Sequence, residues 1–412
     1  MKFSDNAMSA ILLCSYIGIN NNDVYKPLTL KEWNELLDRV VQYGQQPSVV
    51  MEQNQSFLKE TGCSQEYIER IKYLMFRGGT VAFELDDLEG KGIDIVTMFD
   101  SDYPVLMKRK LKRKVPPVLF YSGDIGLAKK IGIGVAGSRN VDEAGIQFTQ
   151  KLVGKAAAER LVVYSGGAKG VDTAAERIAV ESGSAAVSFL AESMISKISK
   201  KDILDSIISK KRLLLSDVKP DVGFSAARAM NRNKYIYTSS YGTFVVASDY
   251  NKGGTWSGAM EAMKNEWTKV LVWNQKKYEG NSKLIEKGAV PYQLSEASIL
   301  ELITKKEEKF QQVDLFSYTK EVSENRVEET DHAVPENRTV GNSRAVPENQ
   351  IGEETDLYHV IAPYVVKHIG EGMTKEEAAE AFHVAKGQMY IWLKQLCQDS
   401  CLKYVQGRFV KR

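Results

Sequence analysis

The sequence predicts an α/β chain: an extended, Rossmann-like, mainly parallel sheet, with an N-terminal helical module before it and a C-terminal winged-helix domain after it. Three observations carry this expectation. Between about 93 and 292, short β-rich runs alternate with stretches of helical length, the pattern of βαβ units. Before residue 90 the apolar spacing is helical. After residue 356, three helical stretches precede a strand–turn–strand. The expected organisation is a helical module over 1–90, a Rossmann-like domain over 91–304, a linker over 305–355 and a winged helix over 356–412.

At the front, Thr29 and Glu32 form a T-x-x-E capping box. Leu30, Trp33, Leu36, Leu37, Val40 and Val41 then share one helical face. A second helix starts near Ser64, buries Tyr67, Ile68, Ile71, Leu74 and Met75, and stops at Gly78-Gly79. In the centre, strands are expected at Val118–Tyr121, Gly132–Ala136, Leu161–Tyr164, Ala185–Phe189, Arg212–Leu215, Thr243–Ala247 and Lys269–Trp273. Helices are expected over 141–159, 172–183 and 257–267. Ligands of such sheets sit at the carboxyl ends of the strands.

The linker is acidic, with twelve Asp and Glu against seven Lys and Arg over 305–355, and reads as expanded chain. In the tail, Thr374 caps a helix with Glu377 three residues on. A hairpin is expected around Gly407. The third tail helix would be the recognition helix, carrying Lys386, Gln388, Tyr390 and Lys394. Eight basic against six acidic residues there leave both duplex contact and protein contact open.

Bulk properties narrow the class. The 412 residues allow two to four domains. Net charge is only +2, so affinity for nucleic acid must come from a local patch. Cys14, Cys63, Cys397 and Cys401 form no C-x-x-C pair, and the four histidines lack metal spacing, so no metal or cofactor is expected. The apolar run over 8–18 is too short for a membrane span. A cytoplasmic protein is expected.

Three strand ends carry anion-binding chemistry. The first is Gly137-Ser138-Arg139, where a serine hydroxyl and an arginine fork meet the start of a helix near Val141. The second is Ser165-Gly166-Gly167-Ala168-Lys169-Gly170, whose glycines expose amides and whose Lys169 adds a mobile charge. Asp172 follows as the expected helix cap, in preference to a catalytic acid. The third is Gly253-Gly254-Thr255, again before a helix, with Trp256 suited to the core or to a base. Gly132 to Gly137 spells G-x-G-x-x-G, but its first two glycines fall inside the expected strand, which excludes a dinucleotide turn. No P-loop motif occurs.

Two basic runs add to this. Lys108-Arg109-Lys110 and Lys112-Arg113-Lys114 read equally as a solvated face or a DNA patch. The segment 224–237 interleaves Phe224, Arg228, Arg232, Lys234, Tyr235 and Tyr237. Cations among aromatics suit a single strand with stacked bases.

At these residues the chain resembles the DprA (Smf) family of DNA-processing proteins of bacterial natural transformation. The matching features are Asp102-Tyr103-Pro104, the run Pro116 to Phe120, G-S-R at 137–139, S-G-G-A-K-G-V-D at 165–172 and R-N-K at 232–234. Gly280 to Ile285 with Gly288-Ala289 resembles a divergent branch of the family. The resemblance implies a non-enzymatic protein, often a homodimer, that binds single-stranded DNA and loads a RecA-type recombinase. It implies phosphate contacts at Arg139 and Lys169, a shared groove for Arg232 and Lys234, and base stacking by Phe224; the interleaved aromatics themselves offer Tyr235 as a second stacking candidate. Seven residues separate Phe224 from Arg232, where the family has F-x-x-R-N-R. The alternative is a nucleotide-binding sensor or a phosphoribohydrolase-like enzyme acting on small nucleotides, for example in phage defence. In that reading Glu261, after Gly253-Gly254-Thr255, is the general acid or base.

Overall fold

The computed structural model describes residues 2–20, 22–51 and 55–305. In the C-terminal part it describes residues 366, 369, 372–381, 393, 396–397, 402–405 and 408–411. Apart from Lys305, the expected linker lies outside the described residues, as do Lys386, Gln388, Tyr390 and Lys394. The chain divides into two compact units, Met1–Glu329 and Thr330–Arg412.

In the first unit nine strands form one sheet: β1 (Asp94–Thr97), β2 (Val118–Gly123), β3 (Gly132–Ala136), β4 (Val162–Ser165), β5 (Ala186–Phe189), β6 (Arg212–Ser216), β7 (Gly242–Val245), β8 (Lys269–Trp273) and β9 (Val290–Tyr292). Their order is β1-β2-β6-β5-β4-β3-β7-β8-β9. All neighbours from β6 to β9 are parallel. The pair β1 and β2 extends the β6 edge in antiparallel fashion. The chain winds outward from β3 to β6, then returns to β7 and winds the other way. The border between β3 and β7 is therefore the topological switch point, where α/β sheets open a crevice. Strands β3 to β7 are buried at every residue, which is why they read as continuous apolar runs.

The helices are α1 (Asp5–Cys14), α2 (Leu30–Gln42), α3 (Gln55–Glu60), α4 (Gln65–Phe76), α5 (Gly78–Gly90), α6 (Val105–Leu111) and α7 (Glu143–Ala158). They continue with α8 (Val171–Glu181), α9 (Met194–Ile198), α10 (Lys201–Ile208), α11 (Ala226–Ser239), α12 (Gly253–Lys264), α13 (Glu279–Glu286) and α14 (Ile299–Thr304). Helices α7, α8 and α14 close one core over Ile133, Val135, Val163 and Phe244. Helices α6, α11 and α12 close the opposite core over Tyr164, Val187, Leu213 and Val245.

The front helices pack as their sequence foretells. Thr29 and Glu32 exchange both cap hydrogen bonds, at 2.7 and 3.3 Å. Trp33, Leu36 and Val40 are buried, while Val41 stays partly exposed. The glycine pair 78–79 does not end the helical region. It marks a break at Arg77, after which α5 begins. The buried Arg77 guanidinium donates to the carbonyls of Leu12 and Ile17 and holds the break in place. These helices do not build a core of their own. They share one with Ile95, Val118, Phe120 and Leu214 of the sheet and with Met194 and Ile203 of α9 and α10.

In the second unit, Thr374 and Glu377 again form a reciprocal cap, at 2.9 and 3.2 Å, before a helix at Lys375–Ala381. Strands β10 (Leu402–Val405) and β11 (Arg408–Lys411) form the expected antiparallel hairpin. Ile369, Ala378, Leu393, Leu396, Leu402 and Phe409 make its core. Among the described residues no helix is long and apolar enough to cross a membrane.

Removing residues 1–90 would uncover Ile95, Val118, Phe120 and Leu214 together. The truncated protein is expected to aggregate or to lose cooperative urea unfolding. In the full chain Leu36→Ala is expected to cost about 2–5 kcal/mol, as a buried leucine does when its cavity cannot collapse. An unchanged urea midpoint in either variant would show that this core does not hold the sheet.

Candidate nucleic-acid interface

A groove of about 220 Å³ opens at the carboxyl ends of β3, β4 and β5. Arg139, Gly166, Gly167, Lys169, Phe224 and Arg232 line it, with Glu192 at its side. The segments after β3 and β4 and the start of α11 meet here.

Two glycines make the meeting sterically possible. A Cβ on Gly166 would stand 1.5 Å from Nη1 of Arg232, so the guanidinium occupies the space any side chain would need. Gly170 has φ +91°, and a Cβ there would stand 2.5 Å from the Ser138 carbonyl oxygen and 2.8 Å from the Cα of Arg139. The G-S-R turn therefore rests on the end of the glycine loop. Buried charge fixes the loop from beneath. The Gly167 amide donates to Oε1 of Glu176 at 2.8 Å, and Arg212 holds the other oxygen at 2.9 Å. Lys197 donates to the Gly167 carbonyl at 3.2 Å and to Glu192 at 2.8 Å.

Arg232 forms the floor. It is 4% exposed, and its Nε has no hydrogen-bond partner. It donates to Asn233 at 3.0 Å and stands 3.8 Å from Asp172, too far for a hydrogen bond. Burial lowers the guanidinium from its ordinary value, with Asp172 opposing. Burial pushes the Asp172 carboxyl up to about 6, although Arg232 pulls it down. Arg139 and Lys169 are exposed at the rim. The Arg139 guanidinium lies 5.2 Å from the ring centre of Phe224, which is 56% exposed. The turn before α11 thus returns Phe224 to the groove despite its distance from Arg232 in sequence.

Other expected contacts stand elsewhere. Ser138 is tied into its own turn: its amide donates to Ala247, its hydroxyl accepts from Asn140, and its carbonyl accepts from Val171. Ser165 is buried and donates to the Val135 carbonyl at 2.8 Å. Gly253, Gly254 and Thr255 form the first turn of α12 rather than a loop, and none of them lines the groove. Lys234 does not share the groove with Arg232. Two residues apart on a helix, they point about 200° from one another, and Lys234 bonds Asn231 and approaches the Tyr235 ring. Tyr235 cannot stack on a base, because it is buried against Phe189 and its hydroxyl donates to Asp217 at 2.6 Å. Trp256 is a core residue.

Asp172 is not the cap of α8. Gly170 occupies the cap position, and Asp172 is the second helical residue, turned inward. The N-terminus of α7 is closed by Asp142, whose carboxylate also takes Lys277 and Tyr278, so it offers no free end to an anion. In the basic runs, Lys108 and Lys110 donate to backbone carbonyls and Arg113 forks onto Asp38, so these charges serve packing. Glu261 is exposed on α12, away from the groove lining.

Two substitutions test this geometry. Gly166→Ala is expected to displace Arg232 and to cost about 1–3 kcal/mol in urea unfolding, the usual range for overpacking. The Asp172 carboxyl holds its proton more tightly folded than unfolded, so its contribution to stability falls as pH rises from about 4 to about 6. Asp172→Asn is therefore expected to gain most in melting temperature above pH 6. An equal gain at pH 4 would contradict the assignment.

Comparison with known proteins agrees with this architecture. The family model described as DNA recombination-mediator protein A matches residues 94–304. DNA processing protein DprA of Streptococcus pneumoniae is 25% identical over 253 residues, covering 59% of this chain and 84% of that protein. The crystal structure of DprA from Streptococcus pneumoniae matches with a TM-score of 0.55 at 20% identity, over 71% of this chain and 95% of that one. A Helicobacter pylori DprA structure, described for its single-stranded DNA binding mode, matches with a TM-score of 0.42 at 22% identity, over 52% and 94%. With half of its length matched by the family model, and with the strand ends of that stretch forming the groove, this chain belongs to the DprA family of DNA-processing proteins.

Proposed function

We propose that the groove holds the sugar–phosphate backbone of single-stranded DNA, and that the protein protects such strands and passes them to a RecA-type recombinase. One observation carries the reading: the nearly buried guanidinium of Arg232 lines the groove beneath two exposed cations and stands 3.8 Å from Asp172, beyond hydrogen-bond reach. A phosphate oxygen in the groove would give the guanidinium a charge-assisted hydrogen bond.

A strand is favoured over a free nucleotide on two grounds. The groove, at about 220 Å³, falls below the roughly 300–1,000 Å³ of sites that bury most of a small ligand. Phe224 projects into solvent beside the cations, as a stacking platform does. The hydrolase reading lacks its acid, since Glu261 is not at the groove. The family's description as recombination mediators supports delivery to a recombinase in transformation or repair. The capped helix and hairpin of the second unit support the winged-helix reading. The homodimer and the absence of catalysis rest on the resemblance, and the cytoplasmic setting on the cysteine pattern.

Binding to oligo(dT) is expected to weaken steeply with salt. Arg139→Ala and Lys169→Ala should each flatten the plot of log affinity against log salt by about 0.7, the value for one phosphate contact on a single strand. Phe224→Ala should weaken binding by about 1–3 kcal/mol and leave the salt slope unchanged. Duplex of equal length should compete poorly. Fluorescence anisotropy across a salt series checks all of these, and equal affinity for duplex and single strand would remove the proposal.

A further inference from the structure

Arg232 and Asp172 are the charge pair beneath the groove, and they fit each other poorly. Their 3.8 Å separation leaves no hydrogen bond between them. The Arg232 guanidinium is seated in the space that a side chain on Gly166 would fill. Asp172 cannot move outward, because it sits in the first turn of α8 and accepts the Ala168 amide. The charges facing Asp172 come from three elements. Arg232 and Tyr237 reach it from α11, Glu176 from its own helix, and Arg139 from the turn after β3. Of the other carboxylates acting on Arg232, Glu176 is committed to Arg212 and the Gly167 amide, and Glu192 at the groove is paired with Lys197 at 2.8 Å. Asp172 is therefore the carboxylate that balances Arg232 while the groove is empty.

A phosphodiester entering the groove brings a second anion to the same guanidinium. Two anions near one buried cation repel strongly in a low-dielectric site, and the weaker acid takes a proton. We propose that Asp172 is the resident counter-ion of Arg232, that the strand's phosphate replaces it in that role, and that the Asp172 carboxylate takes up one proton from solvent as the strand binds. This rests on the single-stranded DNA reading above. No covalent bond changes. Solvent supplies the proton, and the floor then holds one cation against one phosphate. Burial already favours the protonated carboxyl, so the proton is accepted close to neutral pH. The arrangement also makes Asp172 a selectivity device, since it raises the cost of any anion that binds too weakly to neutralise it.

The test measures affinity of the full chain for a labelled oligo(dT) at constant ionic strength from pH 5.5 to 8.5. Wild-type affinity is expected to weaken from about pH 6 upward, by about tenfold per pH unit where one proton is taken up. Asp172→Asn is expected to bind more tightly at pH 8 and to lose the slope. Calorimetry of the wild type in phosphate and in Tris counts the proton directly and needs no variant. His332, His359, His368 and His383 all lie beyond residue 330, so any slope of theirs survives in Asp172→Asn. Binding without slope or proton uptake, or a slope unchanged in Asp172→Asn, overturns this inference and leaves the DNA reading standing. Absence of binding at every pH and at low salt overturns both.

Discussion

The Arg232 guanidinium lies against the bare Cα of Gly166, and the surrounding structure is arranged to keep it there. α11 delivers the arginine from one face of the sheet, and the segment after β4 supplies the missing side chain that makes room. A buried cation in a partly filled coordination sphere is unstable by itself. It persists because the pieces on both sides are fixed independently of it.

The independent fixing comes from polar groups that never meet a ligand. Glu176 binds a loop amide on one side and Arg212 on the other, while Ser188 and Ser206 complete the hydrogen bonds of that arginine. Such buried pairs add little net stability against an apolar replacement. What they supply is position. The Gly167 amide, which the glycine-rich sequence assigns to an anion, is consumed inside the protein. The proposed anion site is thus built mainly of side-chain cations on a rigid glycine frame, unlike a loop that wraps its ligand in backbone amides.

Much of the sheet was legible because buried parallel strands leave an unbroken apolar signature. The bounds of β3 and β8 coincide with their apolar runs. The edges were not legible: β9 has three residues, two of them exposed, and β1 has four. Helix α11 was hidden because Arg232 occupies a buried position that any hydropathy pattern scores as surface. The site divides along the same physical line. Arg139, Lys169 and Phe224 were readable, since local chemistry puts them at strand ends or turns. Lys234 and Tyr235 were misplaced because neighbours in sequence diverge around a helix, and only the fold tells which of them faces the groove. Asp172 was legible as an acid at a helix start, but its inward turn depends on Arg232, sixty residues away.

The shared core of the front helices also has a consequence for synthesis. Trp33, Leu36 and Ile68 emerge from the ribosome early, yet the sheet residue Leu214 that closes their core is made far later. The nascent front half must therefore carry an unfinished apolar surface through most of translation. Contacts this distant along the chain close slowly and leave the intermediate open to aggregation. The pressure on this chain for chaperone protection falls on its first two hundred residues, well before the groove exists.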